Sequence, residues 1–165
     1  MQLTHYNTLF KSRKFPVVLV SDNVTNAANV GSLFRISDAF GVEKLILCGE
    51  VSLGRKVTKT SRSTEKTVPY ELQNSALQVV KNLKEEGYQI LAIEIADISQ
   101  PIHTYQFSAE KPIVLIVGDE ILGVSENLLK LSDEILHIEM FGENSSMNVA
   151  QATNIALYEL TKQFL

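Results

Sequence analysis

The chain has 165 residues, with 15 Lys and Arg against 19 Asp and Glu, a formal net charge of −4, and 45% hydrophobic and 21% charged residues. That length suits one domain, taken here as residues 1–165, with enough chain to bury a core. An acidic total excludes a protein that coats nucleic acid through overall basicity, and no apolar run reaches the roughly 18–20 residues of a membrane span.

The amino-terminal stretch MQLTHYNTLFKSRKF lacks the apolar core of a signal peptide, so a cytoplasmic protein is expected. PVVLVSD (16–22) is a short apolar run and reads as a buried strand. NVGSLFRISDAFG (29–41) follows as a helix, with Val30, Leu33, Phe34, Ile36, Ser37 and Phe40 on one side and Gly41 as its stop. KLILCG (44–49) is the next strand, and its lone cysteine, Cys48, reads as an inert core thiol.

Residues 54–66, GRKVTKTSRSTEK, read as a basic loop with some helix, carrying five basic side chains against Glu65 alone. TVPYEL (67–72) resumes extended structure, and NSALQVVKNLKEEG (74–87) is a helix capped by Asn74 or Ser75. YQILAIEIA (88–96) is a strand, SQPIHTYQFSAEKP (99–112) a loop, IVLIVG (113–118) the most apolar strand, and SENLLKLS (125–132) a short helix. EILHIEM (134–140) is the last strand and 146–164 the last helix, with Val149, Ala152, Ala156, Leu160 and Phe164 roughly in line. Continuously apolar strands alternating with helices predict an α/β fold with a parallel sheet covered on both faces. In such folds ligands bind beyond the carboxyl ends of the strands.

The loops there hold the unusual residues. Asn23, Asn26, Asn29 and Gly31 lead into the first helix, where free N–H groups suit an anion. Arg35 falls about 200° from Leu33 on the wheel, opposite the apolar stripe; an exposed helix arginine is the plain alternative. VGDEILGV (117–124) combines two glycines with Glu120, which also fits an ordinary tight turn. At the last loop, Ser145 or Ser146 suits a helix cap, whereas Asn148, read as one turn inside the helix, has no capping task there. His5, His103 and His137 lack metal-ligand spacing, so no metal site is expected. Neither a glycine-rich nucleotide fingerprint nor a serine-hydrolase elbow occurs.

Taken in order, NxxNVGxxxR (26–35), GDEILGV (118–124) and IEMFGENSSMNVAQATNIALYE (138–159) resemble the three motifs of SpoU-type RNA methyltransferases of the SPOUT class, over about Val17 to Leu160. SDAFGVEKLILCG, TSRSTEKTVPY and GYQILA resemble most the TrmH group, which methylates the ribose of a tRNA D-loop guanosine. The resemblance implies a parallel sheet flanked by helices with a carboxyl-terminal deep trefoil knot, a homodimer, and methyl transfer from S-adenosylmethionine to an RNA ribose 2′-hydroxyl. By motif it implies catalytic roles for Asn29, Arg35, Glu120, Ser146 and Asn148, and cofactor contacts from Ile93, Gly118, Ile138, Met140 and Met147. The sequence departs from the family pattern at Ala27, often proline, and at Glu139, where the last strand usually reads Ile-Pro-Met.

A guanidinium with a pKa above about 12 is costly to neutralise, so Arg35 is read as a clamp on the phosphate beside the target ribose rather than as a base. Arg55, Lys56, Lys59 and Arg62, helped by Arg13, are read as the RNA-docking patch, a task that falls to the core itself because the chain has no long extensions. The alternatives are the same chemistry on the tRNA wobble ribose or on rRNA, a non-catalytic RNA-binding dimer, and a small-molecule-binding α/β domain.

Overall fold

The computed structural model describes residues 10–165; His5 lies outside them. Seven strands form one parallel sheet: β1 (Phe15–Asp22), β2 (Val42–Cys48), β3 (Tyr70–Gln73), β4 (Gln89–Ile93), β5 (Gln100–Pro101), β6 (Ile113–Gly118) and β7 (Glu134–His137), in the spatial order β3-β2-β1-β6-β4-β7-β5. The helices are α1 (Ala27–Ala39), α2 (Arg55–Ser61), α3 (Ala76–Glu85), α4 (Glu126–Leu131) and α5 (Val149–Thr161).

Side-chain alternation along the strands builds two cores. Val17 and Leu19 of β1, with Leu115 and Val117 of β6, pack with Leu33 and Phe34 of α1, Val57 of α2 and Leu157 and Leu160 of α5. Val18, Val20, Val114 and Ile116 face the other way, onto Val80 of α3 and Leu128 of α4. Both faces of the sheet are therefore covered, which is why the central strands read as unbroken apolar runs. Each fully buried Leu or Ile here contributes roughly 1.5–3 kcal/mol.

The order β1-β6-β4-β7 is what places the site. It sets the carboxyl ends of four central strands side by side, so the segments after Asp22, Ile93, Gly118 and His137 are neighbours although up to 115 positions separate them.

Several boundaries differ from those read in the sequence. The last strand ends at His137, three residues short of Met140, and the last helix begins at Val149 rather than Ser146. β4 stops at Ile93; Glu94 still donates its N–H to the Leu136 carbonyl of β7 at 3.0 Å, and its side chain accepts the N–H of Ile95 at 2.9 Å. The basic stretch is mostly helical: α2 covers Arg55–Ser61, Arg62 and Ser63 take left-handed conformations (φ 52° and 70°), and a 3-10 turn follows at Thr64–Lys66. The loop after β4 contains β5 and a 3-10 turn (Ile102–Thr104), too short to leave a periodic signal. No helix among the described residues is long and apolar enough to cross a membrane.

Cys48 is 1% exposed at the end of β2. Burial, with the nearby Asp22 carboxylate adding to it, pushes its thiol up to about 12. Since the thiolate is the reactive form, Cys48 will resist a thiol-specific reagent at pH 8 in native protein and react once the chain is denatured; rapid native labelling would contradict this placement.

Candidate functional site

The segment after β6 is organised by backbone crowding. A Cβ on Gly118 would overlap the backbone of Gly123, so the loop can fold back on the strand end only over a glycine. Gly123 itself sits at φ +68°. Asp119 braces the turn, its Oδ1 accepting the N–H groups of Ile121 (2.8 Å) and Leu122 (2.9 Å). The far side is tied to two other strands: Glu94 Oε2 accepts the N–H of Val124 at 2.8 Å, and Asp22 Oδ2 accepts that of Ser125 at 2.9 Å. These anchors hold Glu120 exposed at the top of the loop, where its Oε1 accepts a hydrogen bond from Asn29 Nδ2.

Asn29 lies in the first turn of α1, which starts here because the Asn26 side chain accepts the N–H groups of Ala28 and Asn29 (2.9 and 3.3 Å). The other end of its amide, Oδ1, accepts from Asn148 Nδ2 at 3.1 Å. Asn148 is the N-cap of α5: its Oδ1 accepts the N–H groups of Ala150 (2.9 Å) and Gln151 (3.4 Å). This corrects two readings of the sequence. Asn148 does have a capping task, and neither Ser145 nor Ser146 performs it, because the helix starts later than its apolar pattern implies.

Polarity runs one way along this chain of groups. A carboxylate only accepts, so Asn29 must turn its NH₂ toward Glu120; its carbonyl then faces Asn148, which must offer NH₂, leaving the Asn148 carbonyl for the helix amides. Donors thus point in sequence from the α5 terminus to Glu120, and only a residue with both a donor and an acceptor can stand at position 29.

Beside this chain opens a cavity of about 480 Å³, a size suited to a small-molecule cofactor. Ile93, Gly118, Ile138, Met140 and Met147 all line it, together with Glu120 and Ser146. Its walls mix apolar side chains and glycine backbone with the carboxylates of Glu94, Asp119 and Glu120, a lining that fits a small ligand with apolar surface and positive charge. Ser146 is exposed, its N–H donating to Asn144 Oδ1 at 3.2 Å.

Arg35 stands apart. Six residues beyond Asn29, it is about 9 Å further along the axis of α1, exposed, and lines a shallower cavity between α1 and α5 with Ser32, Ile36, Gln151 and Asn154. Arg55, Lys56 and Lys59 lie exposed on α2, and Arg62 ends it; α2 packs on α1 so closely that a Cβ on Gly31 would meet Thr60 Cβ at 2.6 Å. Arg13 is not brought to these groups. It precedes β1, at the opposite end of that strand from the site, where its guanidinium donates to the Phe164 carbonyl at 3.0 Å and covers the Phe15 ring. Glu139 is exposed and its Oε2 lies 3.5 Å from His103 Nε2. Among the described residues no group of three or more His, Cys, Asp and Glu side chains could hold a metal ion.

Asp22, Glu94 and Asp119, which brace the loop after β6, are not among the site residues expected from the sequence; each lies at or just beyond the carboxyl end of a strand, but what it accepts from is set by the fold.

The SpoU rRNA Methylase family model matches residues 16–158. The chain belongs to the SpoU methylase family. It is 29% identical over 163 residues to the tRNA (guanosine(18)-2′-O)-methyltransferase of Aquifex aeolicus, covering 98% of this chain and 76% of that enzyme. It is 30% identical over 158 residues to the 23S rRNA (guanosine-2′-O-)-methyltransferase RlmB of Shewanella oneidensis, covering 94% of this chain and 63% of that one. The AdoMet-bound rRNA methyltransferase from Sinorhizobium meliloti superposes with a TM-score of 0.85 at 25% identity, over 94% of this chain and 59% of that structure. This SpoU-family chain thus spans only about three-fifths of its rRNA-modifying relatives.

Removing the cap and removing the Asn29 link are separable. Asn148→Ala should lower stability by about 1 kcal/mol, whereas Asn148→Ser, which keeps a good cap but cannot reach Asn29, should stay within a few tenths of wild type. Chemical denaturation of both variants checks this; equal losses would contradict the capping role.

Proposed function

We propose that the protein transfers a methyl group from S-adenosylmethionine to a ribose 2′-hydroxyl of RNA, with a tRNA D-loop guanosine as the target. The observation that carries this is the union of three sequence-distant motifs, through Glu120, Asn29 and Asn148, at the edge of a cavity lined by the five residues expected to hold the cofactor. Membership of the SpoU family and the 29% identity to a tRNA guanosine-18 enzyme over 98% of the chain support the substrate class. The similarity to rRNA enzymes makes rRNA the second reading.

When bound, S-adenosylmethionine supplies an activated methyl group with a good leaving group. The protein's task is then to hold the 2′-hydroxyl in line with that methyl and to accept its proton. Orientation of this kind can contribute roughly 7–11 kcal/mol to lowering the barrier. The exposed Glu120 carboxylate, held by Asn29 on the cavity wall, can accept that proton, and Ser146 on the same wall can orient the hydroxyl. Arg35, exposed and outside the cavity, suits a phosphate beside the target ribose. Arg55, Lys56, Lys59 and Arg62 continue that basic surface along α2, while Arg13 would meet only RNA that wraps to the far end of the sheet.

We read the assembly as a homodimer. Ile121, Leu122 and Phe141, on the loops after β6 and β7, are 90%, 80% and 94% exposed, and a second copy of the chain would cover them. The trefoil knot expected of this family would be threaded through those same loops.

Incubating unmodified tRNA transcript and rRNA fragments with the protein and labelled S-adenosylmethionine, then mapping 2′-O-methyl sites, tests the reading. Label at a D-loop guanosine is expected; label on a base, or none, would refute it. Arg35→Ala should abolish transfer while cofactor affinity survives in calorimetry, and unchanged turnover would remove Arg35 from the mechanism. Neutralising Lys56, Lys59 and Arg62 together should weaken RNA binding and flatten its salt dependence by about one unit of log–log slope per lost phosphate contact; equal slopes would reject the patch.

A further inference from the structure

Glu94, the first residue beyond β4, lines the cavity and is half-buried. Its two oxygens accept the N–H groups of Val124 and Ile95 at 2.8 and 2.9 Å. Those two amides fix its place but supply no countercharge, and no ion pair among the described residues includes it. The lining contains no Lys or Arg. The other carboxylates on the wall, Asp119 held by the N–H groups of Ile121 and Leu122 and Glu120 held by Asn29, carry the same sign and add to the field of Glu94.

We propose that Glu94 is a specificity-determining residue, whose carboxylate makes the cavity favour the sulfonium form of the cofactor over its demethylated thioether product. This rests on the cofactor reading above. The two ligands share adenine, ribose, α-amino and α-carboxylate groups and differ by one methyl and one positive charge. Methyl transfer breaks the bond from the methyl carbon to sulfur and forms one from that carbon to the ribose oxygen. Sulfur keeps the electron pair and becomes neutral, and the hydroxyl proton passes to an acceptor and on to solvent. The ligand thus loses one positive charge during the reaction, and with it the attraction of Glu94. The shared ammonium and carboxylate groups cancel in the comparison. A carboxylate on the wall of a cavity of about 480 Å³ lies within about one Debye length, roughly 8 Å at physiological salt, of a charge anywhere inside. A half-buried wall also screens less than bulk water. The sign of the preference is therefore independent of how the ligand is oriented, and it acts to release product.

Calorimetric titration of the full chain with S-adenosylmethionine and with S-adenosylhomocysteine, at low and at physiological salt, tests this. Wild type should bind the sulfonium form tighter, with the ratio of the two Kd values shrinking as salt rises. The Glu94→Gln side chain can accept only one of the two N–H groups, so both ligands lose some affinity through the loop. S-adenosylmethionine should nevertheless lose roughly five- to tenfold more than S-adenosylhomocysteine. Glu94→Asp, which keeps the charge, should keep the ratio even if both ligands bind more weakly. Equal weakening of both ligands by Glu94→Gln would reduce Glu94 to a loop brace and overturn the proposal. Failure of wild type to bind either ligand would instead overturn the cofactor reading beneath it.

Discussion

The candidate site depends on a single primary amide. Asn29 gives its NH₂ to Glu120 and its carbonyl to Asn148, and so joins the segments that follow β1, β6 and β7. Because Glu120 can only accept, and because the helix amides need the Asn148 carbonyl, the direction of every hydrogen bond in the chain is set from both ends. Aspartate at position 29 could not donate and serine could not span both partners, so either change would break at least one of the two links. Asn148 carries a double duty in the same way, capping α5 with its oxygen and holding Asn29 with its nitrogen.

The sheet makes that amide's reach sufficient. With β6 inserted between β1 and β4, and β7 beyond β4, the strand ends that need to communicate are adjacent. Asp22 and Glu94 then bind the loop after β6 from either side, and the contact of Gly118 with Gly123 folds it tightly enough for one wall of the cavity to be backbone. Loop, cavity and hydrogen-bonded chain are consequently one unit, and the exposed basic groups on α1 and α2 lie beside it rather than within it.

Much of this was legible in the sequence, for physical reasons. The apolar runs PVVLV, KLILC and IVLIV are long enough and β-branched enough to declare buried strands, and a parallel sheet directs attention to their carboxyl ends. Glu120 and Ser146 each also suited an ordinary turn or cap, and Asn29, Glu120, Ser146 and Asn148 stood out as a set only because three loops in order resemble the family motifs. The boundaries near them were less legible, since Asn148 can cap only if the helix begins at Val149, and periodicity does not mark a start to within three residues. Two-residue β5 carries no pattern at all. Glu94 and Asp22 went unread because a carboxylate that accepts a backbone N–H from a distant loop has no local signature, and Arg13 was grouped with α2 on charge alone, which says nothing about which end of a strand a side chain occupies.

The most direct test of the claim that these loops act as one unit is a double-mutant cycle on Asn29→Ala and Asn148→Ser, read as the rate of methyl transfer to RNA. If the amide chain positions Glu120, either change alone removes it, and the double variant should be little worse than the single ones, with a coupling energy of about 1 kcal/mol or more. Additive losses would mean that Asn29 and Asn148 act independently, and would contradict the account.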